Sequence, residues 1–237
     1  MSRAPFVPLA LTTGPFNLEE ARRHGLTKDH LLGASWRRLG GGLYALRAIA
    51  DDPNVVLAAI SRRLPMTAVF SGRTAAWLHG LDLPPCDPIE VTLPQGCHTS
   101  RLVGVAVRRS TVSADEIVVR RGRRATSVVR TLADLGTRLP LVEAVAALDM
   151  ALHKRLLESA DLCSWACAHP GYRGIASLRR AIELAEPATE SVMETRLRLL
   201  LVLARLPRPH AQISLYDEFG DFLGRPDFYY PHQRLAL

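Results

Sequence analysis

The sequence predicts an α+β chain in three parts, covering residues 15–50, 51–186 and 187–237. Three observations predict it. A helix cap, a glycine break, a second cap and a glycine-centred hairpin fill the first part. Helical and alternating apolar periods interleave in the second, and a capped helix followed by short aromatic strands makes the third.

Composition sets the outer bounds. With 237 residues, 48% of them hydrophobic, the chain is long enough to bury a sizeable core or to divide into two or three small ones. No run of eighteen apolar residues occurs, which argues against a membrane span. Pro5 and Pro8 interrupt the short apolar stretch at the N-terminus, which is not expected to be a signal peptide. Four cysteines make no dense framework and fit a reducing cytoplasm. The net charge of +7 is carried almost wholly by arginine, since lysine occurs only at Lys28 and Lys154. A positive field favours a polyanionic partner, nucleic acid among them.

Asn17 with Glu20 three residues later forms a capping box and starts a helix over Leu18 to His24, stopped by Gly25. Thr27 caps a second helix through Leu32, ended by Gly33. "WRRLGGGLYAL" is then a hairpin around three glycines. Helix, tight turn, helix and hairpin is the order of a winged helix-turn-helix. On that reading Arg37 and Arg38 at the wing are phosphate contacts; otherwise they are solvated surface charges.

From Asn54 to Gly80 the pattern is helical, until "DLPPCDP" breaks it. Strand-like runs follow at Ile89–Leu93, Gly104–Arg108 and Glu116–Arg120. Eight arginines against two acids lie between Arg101 and Arg130, a tract that fits an exposed sheet edge or a nucleic-acid-facing surface. "TSVVRTLADLG" starts a capped helix, and Leu141 to Leu157 is amphipathic, with Val142, Val145, Leu148, Leu152 and Leu156 as its stripe. His153 adjoins that stripe as a partly buried structural residue. A last helix of this part covers Ser177 to Glu186. Cys163, Cys167 and His169 lack the fourth ligand of a zinc site and fit helix packing.

After Pro187, Ser191 and Glu194 form a second S-x-x-E box opening a helix through Ala204. Gln212 to Tyr216 is a strand, "DEFGD" a turn, and Phe222 to Tyr230 a strand interrupted by Pro226 and Asp227. A further strand begins at Arg234 and stops at Leu237, from which we expect a missing continuation. Metal-dependent phosphodiester hydrolysis needs hard oxygen ligands converging on Mg²⁺. Nucleases of the PD-(D/E)XK class take them from a helix Glu and two strands, and Glu194 and Asp227 would be the first two ligands. A capping role for Glu194 and a strand-ending role for Asp227 account for the same residues.

The C-terminal segment "SVMETRLRLLLVLARLPRPHAQISLYDEFGDFLGRPDFYYPHQRLAL" is similar to actinobacterial proteins related to very-short-patch-repair (Vsr) endonucleases. Their S-x-x-E-x-x-L-R and R-x-D elements match at Ser191, Glu194, Leu197, Arg198, Arg225 and Asp227; their Glu-Tyr-Asp-Gly element is absent. "FNLEEARRHGLTKDHLLGASWRRLGGGLYAL", "FSGRTAAWLHGLDLP" and "TSVVRTLADLGTRLPLVEAVAALDMALHK" resemble the AbiEi-type antitoxin half of the same proteins. Where that family often has basic wing residues this chain has Gly40 and Gly41. The resemblance implies a cytoplasmic regulator that binds double-stranded DNA and partners a toxin, with an incomplete, inactive Mg²⁺ nuclease site at Glu194 and Asp227. It would bind DNA through Arg22, Arg23, Thr27, Lys28, Arg37 and Arg38, with Arg121, Arg123 and Arg124 adding backbone contacts. A working Mg²⁺-dependent endonuclease and an antitoxin acting by protein contact alone are the alternatives.

Overall fold

A computed structural model describes residues 6–97, 99 and 102–237 as a mixed α+β structure. Strand β1 (Phe16–Asn17) leads into helix α1 (Leu18–Arg23). The expected capping box is present: Asn17 Oδ1 accepts from the Glu20 N–H at 2.9 Å, and the Asn17 N–H donates to Glu20 Oε2 at 2.6 Å. Strands β2 (Trp36–Gly40) and β3 (Leu43–Leu46) form the hairpin, giving an antiparallel sheet in the order β1-β3-β2. Phe16, Ala21, Leu26, Leu31, Trp36 and Tyr44 fill its core. Phe16 and Trp36 meet edge to face at 5.2 Å between ring centroids.

The helix expected over Thr27–Leu32 is one 3-10 turn, His30–Leu32. His30 Nδ1 accepts from the Thr27 N–H at 3.0 Å, while Thr27 Oγ1 accepts from the His30 N–H at 3.4 Å. These bonds close the turn on itself, and Gly33 leaves it extended.

Helix α2 (Pro53–Ser61), capped by Asp52, strand β4 (Val69–Phe70) and helix α3 (Gly72–Leu78) occupy the stretch expected to be helical throughout. The dipeptide β4 is the centre of a five-stranded sheet, yet too short to carry a period of its own. With β5 (Ile89–Leu93), β6 (Val105–Arg109), β7 (Ile117–Arg120) and β8 (Arg123–Thr126) the order is β6-β5-β4-β8-β7. Glu90 reaches from β5 to the start of α3, where its carboxylate accepts from the Arg73 N–H. A Cβ on Gly72 would overlap that carboxylate, and the φ of +55° there also suits glycine.

Five helices follow: α4 (Val128–Gly136), α5 (Leu141–His153), α6 (Ser159–Ala168), α7 (Ile175–Leu184) and α8 (Val192–Leu203). Helix α5 ends four residues earlier than expected, because Arg155 turns left-handed at φ +53°. His153 is exposed rather than partly buried. Leu132, Leu135, Val145, Leu148, Leu152, Leu162, Leu184 and Leu199 form one core. Leu199 belongs to α8, so packing runs on across residue 187 without a break.

Beyond α8, strands β9 (His210–Ala211), β12 (Phe228–Tyr230) and β13 (Leu235–Ala236) form an antiparallel sheet in the order β13-β12-β9. Strands β10 (Leu215–Tyr216) and β11 (Phe222–Gly224) make a separate hairpin. The strand expected over Gln212–Tyr216 is split because Gln212 sits at φ +55°.

Candidate nucleic-acid interface and acidic pair

On the N-terminal unit Arg22, Lys28 and Arg38 are exposed and make no ion pair or side-chain hydrogen bond among the described residues. Thr27 is exposed beside them in sequence, its hydroxyl turned to His30. Arg23 pairs with Glu19 one turn back on α1. Arg37 holds both oxygens of Asp51 at 2.6 Å. Arginines of the same hairpin thus divide: Arg37 is spoken for and Arg38 is free.

The basic tract of the middle region mostly has partners within the chain, although Arg121 and Arg124 themselves are exposed. The Arg121 guanidinium lies 4.2 Å from the centroid of the Trp77 ring. Arg123 donates to the carbonyls of Asn54 at 2.7 Å and Arg121 at 2.8 Å, and burial holds its pKa below the usual arginine value. Arg124 bonds the Met66 carbonyl. Arg101 lies outside the described residues.

Arg108 and Arg130, in the same tract, build a charge cluster that the sequence reading placed on a surface. Arg130 is 3% exposed. It pairs with Glu116 at 2.7 Å and with Asp134 at 3.3 Å. Arg108 pairs with Asp134 at 2.9 Å, and the Tyr172 hydroxyl donates to the same oxygen at 2.7 Å. The Trp165 indole N–H donates to Glu116 at 3.0 Å. Burial opposes ionisation of Glu116, but Trp165 and Arg130 outweigh it and hold the carboxyl below its usual value. The signal was present as Arg130 and Asp134 four apart in an apolar helix, a spacing that lets the two meet.

A second buried pair locks α8 to α5. Arg198, fully buried, reaches Asp149 at 2.7 Å and the Leu184 carbonyl at 2.6 Å. Asp149 also accepts from the Thr195 hydroxyl at 2.8 Å and the Glu186 N–H at 2.7 Å. Burial pushes the Asp149 carboxyl up despite these partners.

Glu194 and Asp227, far apart in sequence, meet through one side chain. Gln212 Nε2 donates to Glu194 Oε2 at 3.0 Å and to Asp227 Oδ1 at 2.9 Å. The left-handed backbone at Gln212 accompanies this placement, and Ser191 caps α8 by accepting from the Glu194 N–H at 3.1 Å. Burial works against a charged Glu194, but the Glu190 N–H, Ser191 and Gln212 bring its pKa below the usual value. Among the described residues no third acid, histidine or cysteine joins the pair, and an amide nitrogen stands between the two oxygens. These residues by themselves do not fit a magnesium ion, which needs several oxygen ligands in near-octahedral array. Cys163 and Cys167 are exposed on α6.

The model of the AbiEi antitoxin C-terminal domain family matches residues 67–197, more than half of the chain. The chain belongs to the AbiEi antitoxin C-terminal domain family. Two uncharacterized proteins of Mycobacterium tuberculosis, MT2308 of strain CDC 1551 / Oshkosh and Rv2248 of strain ATCC 25618 / H37Rv, are each 30% identical to it over 201 residues. The matches cover 84% of this chain and 71% of each relative. The crystal structure of RV2827C from the same species aligns over 84% of this chain and 76% of its own, at 19% identity and a TM-score of 0.45. The AbiEi domain here begins just before β4 and ends within α8. It takes in the five-stranded sheet and the whole Arg130 cluster, and Arg198 lies one residue past it. The Vsr-like nuclease expected at the C-terminus is not part of the match. Among the described residues no helix is long and apolar enough to cross a membrane.

Proposed function

We propose that this chain is a DNA-binding regulator of the AbiEi antitoxin type, acting with a cognate toxin. The N-terminal unit, one helix, a 3-10 turn and a glycine-centred hairpin, holds double-stranded DNA through phosphate contacts and not through a recognition helix. The observation that carries the reading is the set of exposed, unpaired cations, Arg22, Lys28 and Arg38, on a helix–turn–hairpin unit. Thr27, Arg23 and Arg37 flank them; the last two would have to leave Glu19 and Asp51 to reach a phosphate. The basic charge supports the same partner, and family membership supports the toxin.

The test is fluorescence anisotropy on a duplex from upstream of the chain's own gene. These three phosphate contacts alone give a slope of log K against log salt near −2.7, or about 40-fold weaker binding between 50 and 200 mM, and each further contact steepens it by about 0.9. No binding at either salt would overturn the reading and leave an antitoxin that acts by protein contact alone.

The bridge from Gln212 to Glu194 and Asp227 favours a second statement about the C-terminal part. It is a degenerate PD-(D/E)XK remnant, Vsr-like in its ligand positions and inactive in this chain. Supercoiled plasmid with Mg²⁺ should remain unnicked by the wild type. Nicking that disappears in Asp227→Ala would instead make the chain a magnesium-dependent endonuclease.

A further inference from the structure

Arg62 and Arg63 follow α2 directly and reach in different directions. Arg62 turns to α1, donating to Glu20 at 2.8 Å and to the Pro15 carbonyl at 2.9 Å. Arg63 instead lies along the hairpin turn. A Cβ on Gly40 would come 3.1 Å from Arg63 Nη1, and one on Gly41 would come 2.8 Å from Arg63 Cδ and overlap Nε. Gly40, Gly41 and Gly42 all have positive φ, and the lack of side chains at Gly40 and Gly41 leaves the seat this guanidinium occupies. Among the described residues the Arg63 guanidinium has no ion pair and no hydrogen bond, and only its backbone N–H is engaged, with the Ile60 carbonyl at 2.9 Å.

The turn itself carries no charge, so any cation there has to come from elsewhere in the fold. Side chains alternate along β2. Leu39 packs with Val55 of α2, while Trp36, on the other face, packs with Phe16. Arg38 stands on the Trp36 side, and a bulge between Arg38 and Gly40 ends the alternation before the turn, which Arg63 reaches from the end of α2.

We propose that Arg63 is the wing's second phosphate contact, a guanidinium lent by α2 to a glycine turn and held beside it without an acidic partner. The proposal rests on the DNA-binding reading above. A phosphate contact of this kind weakens binding to any duplex when removed and takes about one unit off the salt slope.

Anisotropy is read on the upstream duplex and on a 30-base-pair duplex of unrelated sequence, from 50 to 200 mM salt. Arg63→Ala should weaken both by about five- to tenfold and flatten the slope by about 0.9. Arg63→Lys keeps the charge and should keep the slope. Gly41→Ala, whose Cβ displaces the guanidinium, should show part of the alanine loss, and combining it with Arg63→Ala should add nothing. Gly41→Ala and Arg63→Lys also decide the matter should Arg63→Ala fail to fold. Wild-type affinity and slope in a folded Arg63→Ala, or in Gly41→Ala, would overturn the role of Arg63 while leaving the DNA-binding reading in place. A wild-type chain that binds neither duplex would remove both.

Discussion

Arg130 and Arg38 mark two regions that use the same residue type in opposite ways. Arg130 lies within the AbiEi domain, 3% exposed, between Glu116 and Asp134. Arg38 stands on the N-terminal hairpin, exposed and with no partner among the described residues. Net charge alone does not tell them apart. A guanidinium enclosed by carboxylates organises a core, and its removal leaves buried charges uncompensated. A free guanidinium adds little to stability and remains available to a phosphate.

The comparison breaks most readily at the buried pairs. Arg198→Ala leaves Asp149 without its cation beneath α8 and should cost about 3–5 kcal/mol, read as the urea midpoint. A loss below about 1 kcal/mol would mean that α8 is not locked to α5 by this pair. Arg130→Ala should cost a similar about 3 kcal/mol. Arg108→Ala should cost less, because Arg108 is 31% exposed and water screens it.

A pH series sharpens the contrast. Glu116 titrates below its unfolded value of 4.5. A carboxyl with a depressed folded pKa stabilises fully above the unfolded pKa, and that contribution is lost as pH falls through the folded one. The stability gap between wild type and Glu116→Gln should therefore be constant from pH 7 to about 5 and close below about 4.5. A gap that widens on acidification would contradict the assignment. The smallest effect is expected at Asp227. Asp227→Ala removes one exposed hydrogen bond from Gln212 and should shift stability by about 1 kcal/mol or less, with duplex affinity unchanged.

How much of this was legible in the sequence varied with the range of the signal. Caps at Asn17 and Ser191, the hairpin around Gly40–Gly42 and the stripe of α5 are local, and each is present, save that Leu156 of the stripe lies past the helix end at His153. The two-residue β4 offers no period to read, and only pairing with distant β5 and β8 makes it a strand. The arginine-rich β8 lacks an apolar period too, and pairs mainly with β7 across the tight turn at Arg121 and Gly122. At Thr27–Leu32 both the cap and the element differ from the expectation: the turn starts after Asp29 without a side-chain cap, and the Thr27 hydroxyl closes on His30 instead. Arg198 looked like a motif position of a separate domain, and its partner Asp149 lies 49 residues upstream. Gln212 gave no sign of bridging Glu194 and Asp227, since its role depends on a backbone turn that strand patterning hides.

The most direct test of the division between partnered and free arginines is the salt dependence of duplex binding by Arg38→Ala and Arg121→Ala, both exposed, measured side by side. Arg38→Ala should weaken binding and reduce the slope by about 0.9, whereas Arg121→Ala, whose guanidinium rests on Trp77, should match the wild type. The reverse pattern, a lost contact at Arg121 and none at Arg38, would contradict the account.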